Sequence, residues 1–368
     1  MSSSHHKQKE AANTMKGREQ IFKVFDIVSE VPDDHFFGSP SKESSSYSTA
    51  NSNLSKCAMK EWKILEQNLP DSIYIRVYEN RIDLMRAVII GAAGTPYHDG
   101  LFFFDIKLPS KYPNYPPELY FHSFGHRLNP NLYSSGRVCL SLLNTWHGRT
   151  AEKWDPRAST LLQVLLSIQA LVLNEQPFFN EPGTSYGRPI FQSRSRVYTE
   201  MAFQLTWEVA MNLVRRPPEH FEAFVLQHFS TRSVAVLDAC REYANERVWV
   251  GYYCRNQGGD GRSSSLCSSS NVKVSASFKK SLVEILYPRL VQTFQSCGAD
   301  LKGTPKELES EVIINKQPKR KQMIDPTKHE NKGEVGKHNN KGGIFMKAVD
   351  RIKTALGWKK KKTDSKQF

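Results

Sequence analysis

Apolar positions recur at helical spacing from Met59 to Leu69, with Met59, Trp62, Leu65 and Leu69 on one side and Pro70-Asp71 closing the run. The pattern then shortens to strand-like runs. Ile73-Tyr-Ile75-Arg-Val77-Tyr78 and Leu84 to Ile90 flank a turn at Glu79-Asn80-Arg81. Gly91 to Gly100 reads as loop, Leu101 to Leu108 as a third strand and Glu118 to His122 as a shorter fourth. Pro116-Pro117 cannot donate to a ladder, so they mark an abrupt entry into that strand. Short connections predict a four-stranded antiparallel meander with the first helix packed on it, an α+β arrangement. Asp155 to Leu173 reads as a helix apolar almost all round, hence central and buried. Further helical patterns run through Tyr198 to Arg215, Phe221 to Phe229, Val234 to Val248 and Phe278 to Phe294.

These elements sit between polar flanks. Residues 1–56 are Ser-rich and predicted to be mostly disordered, except for an apolar segment at 22–37. That segment reads either as a piece docking on the folded domain or as a partner-binding motif. A core domain with a helical extension spans 57–250, a Gly/Ser-rich linker 251–275 and a helix 276–300. Residues 301–368 form a basic tail, mostly disordered, ending in an amphipathic pattern at Ile344 to Leu356. No internal repeat is visible.

Composition changes this picture in two ways. The hydrophobic share is 39%, low enough that part of the chain stays outside a core. The net charge of +14 looks at first like a nucleic-acid signal, but the tail alone holds 18 Lys and Arg against 8 Asp and Glu. The rest is only mildly basic, which argues against nucleic acid as the partner. Six cysteines lie scattered without CxxC spacing, so a disulfide framework is not expected. No N-terminal signal pattern and no membrane-spanning run are read, and a reducing, cytoplasmic setting would leave any cysteine a free thiol.

The chemistry concentrates between Asn129 and Leu143. Asn129-Pro130-Asn131 is turn-forming, Gly136 permits a tight approach, and Cys139 stands eight residues after Asn131 amid Val138, Leu140 and Leu142. A cysteine in such company is by itself more often packing than a nucleophile, and Asn-Pro-Asn is turn chemistry in any protein. Two other motifs carry less. Gly183-Thr-Ser185-Tyr-Gly187 matches G-x-S-x-G by letter, but Asn180-Glu-Pro-Gly precedes it where that elbow needs a strand. His122 and His126 share no helix face, so a metal is not expected.

The ordered set is more specific than its parts. Tyr112-Pro-Asn-Tyr115-Pro-Pro117, Asn131 eight residues before Cys139, Trp154-Asp-Pro156 and the buried helix follow one another over residues 58–215. This resembles the ubiquitin-conjugating enzymes. Phe22-Lys-Val-Phe-Asp-Ile-Val-Ser29, Asp33-Asp-His35, Asp99-Gly-Leu-Phe102, Cys139-Leu-Ser-Leu-Leu-Asn-Thr-Trp146 and Arg215-Arg-Pro-Pro-Glu-His-Phe221 are similar to the large hybrid conjugating/ligase subgroup, which includes the plant phosphate-response enzyme. Three departures stand out from the commonest family pattern. Asn129 replaces a His, seven residues from His147 to Lys153 enlarge the loop beside the cysteine, and the usual carboxylate near the buried helix exit has Glu181 as its best counterpart.

The resemblance implies the family's fold and an acyltransferase whose Cys139 carries ubiquitin as a thioester. It also implies ubiquitin, an activating enzyme and protein substrates as partners, with a ligase either separate or intrinsic. A thiolate suits the task, being nucleophilic in attack and a better leaving group than an alkoxide. Asn131 would donate to the oxyanion or order its loop, Asn129 and Pro130 would order the loop, and Glu181, with Asn180, would orient the acceptor lysine. No cofactor is implied on the chain; ATP is consumed by the activating enzyme. An inactive ubiquitin-binding variant, a conjugator of another ubiquitin-like protein and a nucleic-acid or membrane adaptor are the rivals. Pro318-Lys-Arg-Lys-Gln reads either as a nuclear-import signal or as solvated linker. The stripe Phe345, Val349, Ile352, Leu356 before Trp358-Lys-Lys-Lys-Lys362 suits an anionic membrane surface or a docking helix.

Overall fold

The computed structural model describes residues 22–38, 52–146, 150–184, 188–252 and 272–308. Five strands form one sheet in the order in which they occur: β1 (Phe25–Val28), β2 (Ile73–Tyr78), β3 (Leu84–Ile90), β4 (Leu101–Lys107) and β5 (Glu118–Phe121). β2 to β5 are the antiparallel meander read from the sequence. β1 is the addition. It pairs parallel to β2, Phe25 opposite Ile75 and Val28 opposite Tyr78. Through β1 the 22–37 segment lies against the chain's own sheet.

Helix α1 (Ser52–Asn68) is longer than its periodicity suggested, and its buried stripe is Leu54, Ala58, Trp62 and Leu65. Met59, expected on that face, is 55% exposed, because the buried stripe runs from Leu54 through Ala58 and Met59 stands about 100° around the helix from Ala58. The central helix α2 (Leu161–Ser167) continues as a π-helical turn, Ile168–Val172. It starts at Leu161, not at Asp155, because Thr160 and Gln163 form a capping box there. Residues 155–159 instead fold as a turn, with the Ser159 hydroxyl taking the Asp155 N–H. Buried Glu61 holds α1 to this point, accepting from the Tyr112 hydroxyl (2.8 Å) and the Leu161 N–H (3.0 Å).

Helix α3 (Arg188–Arg215) begins ten residues before the predicted start, and the two patterns around Phe229 are one helix, α4 (Glu222–Ala244). Then come α5 (Ala276–Ser281), a π-helical turn Leu282–Leu286 and α6 (Tyr287–Ser296). These last elements share the core: Trp207 of α3 meets Phe229 of α4 and Phe294 of α6, and Phe203 meets Tyr243 and Phe278. The terminal pattern at 344–356 lies outside the described residues.

Both faces of the sheet are covered, so β3 and β4 are buried at every position but their last. Alternation places Ile75, Ala87 and Phe104 on one face and Tyr74, Arg76, Arg86, Phe103 and Asp105 on the other. The second face is roofed by Phe22, Phe221 and Phe224, with the Arg76 guanidinium 3.9 Å from the Phe22 ring centre. At its polar end Arg86, fully buried, gives two hydrogen bonds to the Asp105 carboxylate (2.6 and 3.1 Å) and two to Asp34, on its carboxylate (2.7 Å) and its carbonyl (3.1 Å). Asp105 also accepts from the Phe36 N–H (2.8 Å) and pairs with His122 (2.9 Å).

Burial pushes the Asp105 carboxyl up, but hydrogen bonds and charge from His122 and Arg86 outweigh it and hold the group well below the usual carboxylate range. A carboxyl depressed on folding contributes stability that is complete above its unfolded value of about 3.9 and drains away as the pH falls below it. Asp105→Asn should cost about 3–5 kcal/mol at pH 7, since buried Arg86 is left with only half-exposed Asp34 as a counter-charge. Urea midpoints of the two proteins should draw closer at about pH 3, and an unchanged gap there would refute this account.

Candidate active site

Asn129, Pro130 and Asn131 close a tight loop behind β5. An isolated bridge pairs Asn129 with Leu132, and a second pairs Leu132 with Val138, so the chain doubles back toward Cys139. Gly136 makes the reversal. Its φ is +84°, and an added Cβ would stand 2.1 Å from the Tyr120 ring. The doubling brings Asn131 and Cys139 together. The Cys139 N–H donates to the Asn131 carbonyl (2.9 Å) and the Asn131 side-chain amide donates to the Cys139 carbonyl (2.9 Å). Thr145 closes the far side, its hydroxyl donating to the Val138 carbonyl (2.9 Å) and accepting from the Leu140 N–H (2.9 Å).

Asn129 is fully buried and has four partners. Its amide nitrogen donates to the Tyr97 hydroxyl oxygen (2.8 Å) and the Val172 carbonyl (2.7 Å). Its oxygen accepts from the Asn131 N–H (2.9 Å) and the Asn180 amide (3.3 Å). Tyr97 and Asn174, which donates to Asn180 at 2.6 Å, are members of this network that no sequence motif marked. Pro130 is buried between the two asparagines.

Glu181 lies at the edge of this arrangement. Its carboxylate faces the Arg127 guanidinium at 3.8 Å, each side chain half exposed, and no hydrogen bond joins it to the Cys139 loop among the described residues. Arg127 also stacks over the Tyr133 ring at 4.6 Å. Nearby Tyr198 is pushed up to about 12, by burial first, with the Glu181 charge adding to the effect. Trp154 donates to the Pro113 carbonyl (2.6 Å), tying the segment after the enlarged loop to the Tyr-Pro element. Residues 147–149 of that loop lie outside the described residues, as do 185–187 of the Ser-containing motif.

Cys139 is only 2% exposed and Asn131 7%. Cys57, Cys240 and Cys297 are free thiols too. Burial pushes the thiols of Cys240 and Cys297 up, which suits packing. Among the described residues no cluster of three His, Cys, Asp or Glu is arranged to hold a metal, and no helix is long and apolar enough to cross a membrane.

Comparison with known proteins fixes the family. Residues 57–206 match the family model described as ubiquitin-conjugating enzyme. An Arabidopsis thaliana protein provisionally named ubiquitin-conjugating enzyme E2 38 is 53% identical over 224 residues, covering 60% of this chain and 68% of its own. The chain belongs to the ubiquitin-conjugating enzymes. As an E2 it is a transferase of the thioester-forming class. Another Arabidopsis thaliana protein, provisionally named ubiquitin-conjugating enzyme E2 24, is 46% identical over 286 residues, which are 77% of this chain but 30% of that longer protein. The human dual E2 ubiquitin-conjugating enzyme/E3 ubiquitin-protein ligase BIRC6 is 43% identical over 178 residues, 47% of this E2 and 4% of BIRC6.

Two measurements check the geometry of this E2. Gly136→Ala should lower stability by about 1–3 kcal/mol, since both the positive φ and the Tyr120 ring oppose a Cβ, and a urea midpoint equal to wild type would contradict it. Native alkylation mapped by peptide should modify Cys139 more slowly than half-buried Cys57; equal rates would show the thiol open at rest.

Proposed function

We propose that Cys139 is the carrier thiol. The thiolate attacks the carbonyl that joins the ubiquitin C-terminus to the activating enzyme's sulfur; a new C–S bond forms and the old one breaks. A substrate lysine amine then attacks the same carbon, the amide forms, the Cys139 thiolate leaves and the amine's proton passes to base. ATP enters only through the activating enzyme. The observation that carries this reading is the reciprocal pair of hydrogen bonds between Asn131 and Cys139 in a chain whose relatives are named E2 enzymes.

At rest the Asn131 amide is engaged by the Cys139 carbonyl, which is loop ordering. In the transfer step that amide is the donor nearest in the chain's wiring to the developing oxyanion, and both roles depend on the same side chain. Cys139 is 2% exposed, so its surroundings must yield some space to a polypeptide terminus. Glu181, released from its loose pairing with Arg127, supports orientation of the incoming ammonium. Similarity to a dual E2/E3 protein supports transfer without a separate ligase. The apolar and basic pattern of residues 344–362 supports attachment to an anionic membrane surface from the cytoplasm, with nuclear entry through Lys319 to Lys321 the competing address.

Incubation with ubiquitin, activating enzyme and ATP should give an adduct that reducing agent removes. Cys139→Ala should give none. Asn131→Ala should load, but discharge to free lysine more slowly by about 10². An adduct on the Cys139→Ala chain would sink the assignment. Deleting residues 309–368 should leave loading intact and abolish flotation with anionic vesicles; loss of loading instead would place the function in the tail.

A further inference from the structure

The turn that follows the central helix is joined to the thiol loop through side-chain amides. Asn174 leaves the π-helical turn with its amide nitrogen on the Leu171 carbonyl (2.7 Å) and the Asn180 oxygen (2.6 Å), while its oxygen takes the Gln176 N–H (3.0 Å). Asn180 passes the connection on. Its nitrogen donates to the Val172 carbonyl (3.1 Å) and to the Asn129 oxygen (3.3 Å), and Asn129 donates to the same Val172 carbonyl. Asn129 then holds the Asn131 N–H, and Asn131 holds Cys139. Glu181 is the residue after Asn180, and Thr184 folds back onto the Glu181 carbonyl (2.7 Å).

We propose that Asn180, braced by Asn174, is a positioning residue for lysine transfer, setting the turn that bears Glu181 against the thiol loop through Asn129. The inference rests on Cys139 being the carrier. Asn180 touches neither the sulfur nor the donor peptide, so its effect falls on the step for which the acceptor side must be in place. Loading from the activating enzyme approaches the same sulfur but needs no acceptor turn. The two half-reactions should separate.

Two substitutions tell donation from packing. Asn180→Ala removes the amide. Asn180→Asp keeps the shape and still accepts from Asn174, but presents oxygen where the Val172 carbonyl and the Asn129 oxygen need an N–H. Both variants should load ubiquitin within about twofold of wild type when assayed below their unfolding transitions, although the partner lost by Asn129 lowers the urea midpoint. Both should discharge the thioester to free lysine about tenfold more slowly, the fold-change expected for one or two lost hydrogen bonds. Asn174→Ala should fall the same way by a smaller factor. Wild-type discharge by Asn180→Asp would overturn the proposal, as would equal losses in loading and discharge. A wild-type chain that forms no reducible adduct would remove the carrier assignment beneath it, a failure visible before any variant is compared.

Discussion

The site depends on one uncharged amide held away from water. Asn129 has two donors and two acceptor lone pairs, and the protein meets all four: the Tyr97 hydroxyl, the Val172 carbonyl, the Asn131 N–H and the Asn180 amide. Each bond alone contributes about 1 kcal/mol, but a buried polar atom deprived of its partner costs about 1–3 kcal/mol, so satisfaction of the whole set matters more than any member. An asparagine at this position does not titrate near neutrality, whereas a histidine would. The geometry of the loop beside Cys139 is thereby independent of the protonation of its central residue.

A second buried polar group lies on the sheet itself. Arg86 and Asp105 stand side by side on β3 and β4, where alternation would otherwise call for apolar residues, and Asp34, His35 and His122 complete the shell. Residues 32–38 close over the pair, Asp34 and the Phe36 N–H adding to it and Phe36 stacking on Tyr120 at 3.7 Å. Tyr120 is also the ring that fits against Gly136 in the thiol loop. The N-terminal segment and the site thus share a side chain.

The elements that follow from local chemistry were legible in the chain. The four-strand meander, Pro116-Pro117 at the edge of β5 and the buried central helix all arise from short-range periodicity and from residues that restrict the backbone. The Asn131–Cys139 association was legible through spacing and the family resemblance. What escaped depends on distant partners. β1 is four residues long and parallel, and its pairing with β2 spans some fifty positions. The start of α2 was hidden because Asp155 looks like a helix opener, while the capping box at Thr160 decides the matter. Met59 was placed on the wrong side because the first turn of α1 lay in a stretch read as polar. Tyr97 and Asn174 belong to no motif, and Asn180, named beside Glu181, was not placed against Asn129; only the fold makes them neighbours. The near-complete cover of Cys139 is likewise a tertiary property that an apolar flank could not distinguish from a groove.

The loop 91–100 that supplies Tyr97 is itself anchored from outside the family's matched stretch. Asp99, at φ +61°, takes a hydrogen bond from Arg232 (2.6 Å), its carbonyl meets His228 (2.9 Å), and neighbouring His98 meets the Tyr243 hydroxyl (2.9 Å), all three partners lying on α4. The stretch that the family model matches ends at 206, before α4 begins. A minimal excised domain would therefore keep every residue of the thiol loop yet shed the buttress under Tyr97. What steadies the loop 91–100 in this enzyme thus reaches past the stretch that the family model matches.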